Sequence, residues 1–438
     1  MPPMRAESRP AAPRARSPVV GPSKPRLLKV LGPGLISGAS DDDPTAIATY
    51  SQAGAKFGYQ LCWLALVCYP IMTVVQEISG RIGRTTGQGL AGNIRRHYPP
   101  WLLLGCVCLL LIANIIEIAA DLGVMADVVH GLVGGPRHLY VILFGGVCVG
   151  LQILMKYTRY VAVLKWTTLS LLGYFAAVLM AKVSWSEVAR GFVPSLALDR
   201  DFVTTVVAIF GVAISPYIFF WQSAQEAEDQ RVKPEREPLV EAPEQAPAAL
   251  ERIRLDTYIG MAVATLVGLA IMITTSAGLH ANGVTEIRTS AQAADALRPA
   301  AGAFAYGLFS LGIIGTGLLA VPVLAGSAAY AIGEARKWPV GLARQPMEAK
   351  AFYATLALAT LIGVAINFTR IDPIRALYWS AVLNGAVAVP VLALMMLMGS
   401  HRRIMGEFTI GRPLRIVGWL AVAIIAASVA AMSVLAVF

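Results

Sequence analysis

Gly32-Pro33-Gly34-Leu35-Ile36-Ser37-Gly38-Ala39-Ser40-Asp41-Asp42-Asp43-Pro44-Thr45-Ala46-Ile47-Ala48-Thr49-Tyr50 occupies a place where a membrane-spanning helix is expected, yet three carboxylates and a proline stand in its middle. A charged side chain at the centre of such a helix costs about 2.5–3.5 kcal/mol on insertion scales. Three in a row need water, a partner or a bound cation. Pro44 removes a backbone donor and clashes with the preceding turn, so the helix is predicted to break at Asp43. Irregular backbone at membrane depth is tolerated only where it lines a cavity or is buried in protein. A broken span carrying carboxylates at mid-depth reads as a cation site.

The surrounding composition agrees with a membrane setting. Of 438 residues, 56% are hydrophobic and 14% charged, and the mean hydropathy is +0.64. That is the profile of a polytopic membrane protein, with the lipid bilayer as its surroundings. The net charge of +10 resides in loops and in the N-terminal tail, and no nucleic-acid partner is expected. Protein partners are not readable. Residues 1–30 hold five Arg, two Lys and many Pro. They are expected to form a disordered cytoplasmic tail and, lacking an apolar run, not a cleaved signal peptide. The five cysteines sit in apolar segments and suggest neither zinc nor disulfides.

Runs of about 20 apolar residues predict eleven spans, near 31–53, 57–79, 101–128, 137–155, 161–181, 203–224, 256–279, 301–333, 350–368, 374–398 and 413–437. Cytoplasmic loops carry an excess of Lys and Arg. Here Arg81, Arg84, Arg95 and Arg96 share one side with Lys156, Arg159 and Lys165. Arg336, Lys337, Arg344, Lys350, Arg402, Arg403, Arg412 and Arg415 fall on the same side. This places the N-terminus inside the cell membrane and the C-terminus outside. The acidic stretch 225–255 is expected to be a flexible, solvated cytoplasmic loop.

The sixth span repeats the device of the first. Ser215-Pro216-Tyr217 again sets a capping residue before proline. Five spans separate the breaks, so residues 31–185 and 200–398 form two five-helix units of opposite orientation, with 412–438 an additional helix. Paired broken helices in inverted repeats point to a transporter's midplane site. Successive helical residues lie about 100° apart, so Asp41, Asp42 and Asp43 cannot all face one ligand.

The chain resembles the NRAMP family of divalent-metal transporters. The resemblance is carried by Gly32-Pro33-Gly34, Asp43-Pro44, Phe57-Gly58-Tyr59 and the run Gln76-Glu-Ile-Ser-Gly-Arg-Ile-Gly-Arg-Thr-Thr-Gly87. Ala120-Asp121-Leu122 and Gly191-Phe-Val-Pro194 extend it over most of the chain. It implies an all-α, leucine-transporter-type fold, metal bound between broken spans one and six, and protons as coupling ion, with no other cofactor. The metal candidates are Asp43, Thr45, Ser215, Tyr217 and the backbone of Ala46 and Val212, with Asp42 and Asn384 behind them. Asp121 stands at the family's proton-accepting acid, and Glu117, on the same helix face, is expected to join it in the proton pathway.

The site itself departs from the family pattern. Thr45 and Ala46 replace Gly and Asn of Asp-Pro-Gly-Asn, and Ser215-Pro216-Tyr217 replaces Met-Pro-His. Ala381 falls where a tenth-span Gln is usual. An oxygen-only donor set suits Mg2+ and Mn2+ over softer ions, so Mg2+, Mn2+ or Fe2+ import is expected, with Mg2+ and Mn2+ first. A sodium- or proton-coupled carrier of a small organic solute on the same fold is the alternative. No catalytic motif such as HExxH or a P-loop is present, so the chain is not expected to be an enzyme.

Overall fold

The computed structural model describes residues 38, 41–154, 171–195, 199–233, 235–369 and 372–437. The N-terminal tail, the opening of the first span with Gly32 and Gly34, and Lys156, Arg159 and Lys165 lie outside the described residues. Helices occupy the described parts of all eleven expected spans. Among the described residues, eight helical stretches, with the broken sixth span taken as one, are long and apolar enough to cross a bilayer.

The first break falls at Asp43. Its backbone is extended (φ −75°, ψ 175°), and its carboxylate accepts from the Ala46 N–H at 2.7 Å. Helix α1 (Pro44–Phe57) starts there, with proline at the one position where its missing donor costs nothing. Gly58 ends it at φ +56°, in the left-handed region. That stop delays the second span, α2 (Trp63–Thr86), by nearly two helical turns from the expected start at 57. A short helix, α3 (Leu90–His97), follows, and then α4 (Pro100–Val133) and α5 (Arg137–Leu154). The described end of the fifth span is α6 (Leu172–Met180).

The second break separates α7 (Arg200–Ala213) from α8 (Pro216–Val232). Ser215 holds the N-cap position with extended backbone, but its side chain does not cap α8. The hydroxyl donates backwards, to the carbonyls of Gly211 (2.7 Å) and Val212 (3.2 Å). The last carbonyls of a helix lack intrahelical partners, and here that need prevails over the capping expected from sequence. The remaining spans are α9 (Ala246–Gly278), α10 (Ala305–Arg336), α11 (Lys350–Ile366), α12 (Pro373–Ser400) and α13 (Arg412–Val437).

The broken sixth span is the centre of the bundle: 94% of its apolar window is buried, against 11% for α13, which lines the periphery. Helix α7 packs on α12, α8 on α2 and α10, and α1 on α9 and α12, with α4 against α10, α11 and α12. Two glycines permit the tightest of these crossings. A Cβ on Gly211 would fall 1.8 Å from the Ala381 carbonyl oxygen, and one on Gly385 would fall 2.7 Å from that of Val207. Backbone thus meets backbone where α7 crosses α12, as small residues allow in membrane packing. Ala381 is fully buried at this crossing.

Residues 225–232 and 246–255, expected as part of a loop, are helical. Helix α8 runs on to Val232 and α9 begins at Ala246, so both helices extend beyond their apolar segments. Glu226 is buried and pairs with Arg252 at 2.5 Å. Glu228 is buried too, accepting from the Tyr330 hydroxyl and from the Ala343 N–H at 2.6 Å. Arg84 holds the intervening segment through the Glu237 carbonyl (2.5 Å) and Gln245 (2.7 Å). Nearby, the Glu334 carboxylate accepts from the Gly89 and Gly92 N–H groups at the start of α3, each at 2.9 Å. Acid-rich sequence reads as solvated, but these carboxylates find donors that pay for burial. Glu77 is likewise fully buried, with Arg81 at 2.5 Å.

The crossing of α7 and α12 gives a stability test. Gly211→Val overpacks a backbone contact and is expected to cost about 1–3 kcal/mol or more, seen as loss of the monodisperse folded fraction on size-exclusion chromatography. Gly105→Ala, where a Cβ meets nothing within 4 Å, should leave that profile unchanged.

Candidate metal site

Five carboxylates are buried together around the first break. Asp41, Asp42 and Asp43 are 3–5% exposed, and Glu117 and Asp121 of α4 are fully buried. Among the described residues, every ion pair to a Lys or Arg involves other acids, such as Glu77, Asp201 and Glu226. Buried charge without a basic partner is costly, so these groups must be met by hydrogen bonds, protons or a cation.

Asp43 is fixed from two sides. One carboxylate oxygen caps α1 through the Ala46 N–H, and the other accepts from the Tyr217 hydroxyl at 3.1 Å. Tyr217 lies in the first turn of α8, so this bond joins the two broken spans. The first-span and sixth-span breaks, read separately from sequence, are therefore side by side.

Helix α4 contributes a polar stripe at spacings of three and four, and each member meets a different helix. The Asn114 amide donates to the Leu324 carbonyl (2.9 Å) and to Ser327 (2.7 Å) of α10. Glu117 accepts from the Asn384 amide of α12 at 2.8 Å. Asp121 accepts from the Thr45 hydroxyl of α1 at 3.2 Å. The Glu117 and Asp43 carboxyls are close enough to interact electrostatically. One oxygen each of Asp41, Glu117 and Asp121 has no hydrogen-bond donor among the described residues.

The structure thus brings Asp43, Thr45, Tyr217, Glu117, Asp121 and Asn384 into one connected polar cluster. The Thr45 side chain points to Asp121, and the Ser215 hydroxyl is engaged with the end of α7, where it occupies the Val212 carbonyl. Asp42 is buried behind the break. In this conformation no three Asp, Glu, His or Cys side chains among the described residues converge on one ion position. A small cavity of about 10 Å³ lies farther along α1, among Ile47, Ser51, Val124, Phe309, Ile313 and Leu377. Sequence reasoning missed the acids at the far end of the bundle, Glu228 and Glu334. Their signal is a carboxylate in line with an apolar helix, three to four residues from aromatic or small positions.

Comparison with known proteins places this geometry. Residues 34–435 match the sequence model of the Nramp family, described as natural resistance-associated macrophage protein-like. A divalent metal cation transporter, MntH, of Aeromonas hydrophila is 29% identical over 426 residues, covering 92% of this chain and 95% of its own. Among solved structures, the Eremococcus coleocola manganese transporter superposes with a TM-score of 0.72 at 17% identity, over 94% of this chain and 88% of that one. Mhp1, a nucleobase-cation-symport-1 family transporter, superposes with a TM-score of 0.55 at 13% identity, over 93% of each chain. At these identities the two superpositions show a shared fold. Because the family match runs through both breaks and the acid-bearing α4, the chain belongs to the Nramp family.

Proposed function

We propose that this protein is a secondary transporter that imports a divalent metal cation across the cell membrane, with protons as the coupling ion. The observation that carries this reading is Asp43: a buried carboxylate at a helix break, tied to the second break through Tyr217 and without a basic partner among the described residues. The relatives reported above include transporters of divalent metal cations and of manganese, which supports the same cargo class.

In this reading the cation takes Asp43 as its anchoring ligand. Oxygen donors close by are the Ser215 and Thr45 hydroxyls, the Tyr217 phenol and the backbone of Ala46 and Val212, with Asp42 and Asn384 behind them. Water completes the shell, as hard divalent ions favour. Asp121, joined to α1 through Thr45, takes the coupling proton. The organic-solute reading is weaker, because a substrate carboxylate would meet five buried acids.

Three outcomes test the proposal. Asp43→Ala should reduce Mn2+ and Mg2+ uptake into proteoliposomes to background while the protein remains folded and inserted. Uptake at the wild-type rate would remove the basis of the reading. Donors that are all oxygen lack the thioether preference for soft ions, so selectivity should be low between Mn2+ and Mg2+. Excess Mg2+ is therefore expected to compete with Mn2+ uptake, and a Mn2+ flux indifferent to Mg2+ would exclude the hard-cation site. The Lys and Arg distribution puts the N-terminus in the cytoplasm and the C-terminus outside. A C-terminal reporter active only outside the cytoplasm should give signal, and signal from a cytoplasmic reporter instead would reverse this topology.

A further inference from the structure

Among the acids around the first break, Glu117 has no role in the transport reading, and it approaches Asp43 from a different helix. It sits in the middle of the 34-residue α4 and is fully buried. Its Oε2 is held by the Asn384 amide at 2.8 Å. Its Oε1 has no hydrogen-bond donor among the described residues. A buried polar atom left without a partner costs about 1–3 kcal/mol, and more for a charged group. A buried carboxyl oriented by an amide, with a second buried carboxyl beside it, forms a pair that a positive ligand or a proton must neutralise.

The other side chains at the breaks are less available. Thr45 gives its hydroxyl proton to Asp121, and Ser215 gives its own to two carbonyls of α7. Ala46 has no side-chain donor. Asp43 already takes an N–H and a phenol. We infer that Glu117 is a ligand of the transported divalent cation, the second carboxylate of a pair with Asp43, with Asn384 as the residue that positions it. The inference rests on the divalent-cation reading above and assigns Glu117 to cation binding rather than to the proton path. Two carboxylates carried by different helices match the two charges of the ion. They also make its binding draw α4 toward the first-span break. The chemistry selects a small, hard cation that accepts carboxylate, amide and water oxygen.

The test is calorimetric titration of Mn2+ and of Mg2+ into the purified full-length protein at one fixed pH. Glu117→Gln keeps the size of the side chain and its ability to accept from Asn384, but removes the charge. Its Mn2+ Kd is expected to rise by about tenfold or more, the scale on which charge count tunes such sites. The cation-free variant should melt no lower than wild type, because an unpaired buried charge has been removed. Any smaller rise in Kd overturns the inference. A residue that serves only proton movement would give that result: unchanged Kd at fixed pH with weaker uptake under a pH gradient. Should the variant not fold, Glu117→Asp carries the test, since it keeps the charge but draws it back by a methylene. A Kd raised about threefold or more then supports the pairing, and a smaller change overturns it. Wild-type protein that binds neither Mn2+ nor Mg2+ would overturn the transport reading and this inference together, whereas wild-type binding that survives both substitutions overturns this inference alone.

Discussion

The structure depends on a cost: five carboxylates held out of water in a region that offers them no basic partner among the described residues. Everything near the first break can be read as a response to it. The helix ends before Asp43, so that a backbone N–H becomes available to one carboxylate oxygen. The second break presents Tyr217 to the other oxygen. Helix α4 turns its polar stripe inward, and three separate helices answer it with Thr45, Asn384 and Ser327. An unanswered acid at this depth would expel the helix from the bilayer or force a proton onto the group.

The same arrangement ties three helices together. Helix α12 touches α7 backbone to backbone at Gly385, and its neighbouring residue Asn384 holds Glu117 of α4. A shift of α12 is therefore felt at once by the sixth-span break and by the acid beside Asp43. The two ends of the bundle are built from different materials. Around Glu228 and Glu334, carboxylates bind backbone N–H groups and a tyrosine, bonds that water can replace when they part. On the far side of Asp43 the lining is apolar, with Ile47, Val124, Ile313 and Leu377 around a small cavity.

Much of this was legible from sequence where the signal was local. Asp43-Pro44 and Ser215-Pro216 each state a helix break, because a residue that caps and a residue that cannot donate leave few alternatives. Apolar run length located the spans. Run length failed at α8 and α9, whose helices continue through acidic sequence. Hydropathy measures the transfer of a side chain to lipid, whereas Glu226 and Glu228 are buried against protein donors more than twenty residues away in sequence. Ser215 was legible as an N-cap position and not as a backward donor, since the choice depends on which orphaned groups lie within reach. The partnership of Glu117 with Asn384 spans 267 positions, and no spacing rule reaches that far.

Tyr217 sharpens what such a site can discriminate. Its phenol is a neutral donor resting on Asp43, so an arriving cation must either displace that hydrogen bond or accept the phenol oxygen as a ligand. Displacement is easier for an ion that gives the carboxylate a stronger partner than a phenol does, which any divalent cation can. The hydroxyl therefore separates cation from no cation, and not one divalent ion from another. Selectivity among divalent ions then falls to the number and hardness of the oxygens around Asp43 and to how readily each ion gives up water. A second carboxylate on α4 would strengthen binding for every divalent ion, but most for small, hard ones. A site of this composition gains affinity by charge, and has no sulfur or imidazole within the breaks with which to prefer a soft metal.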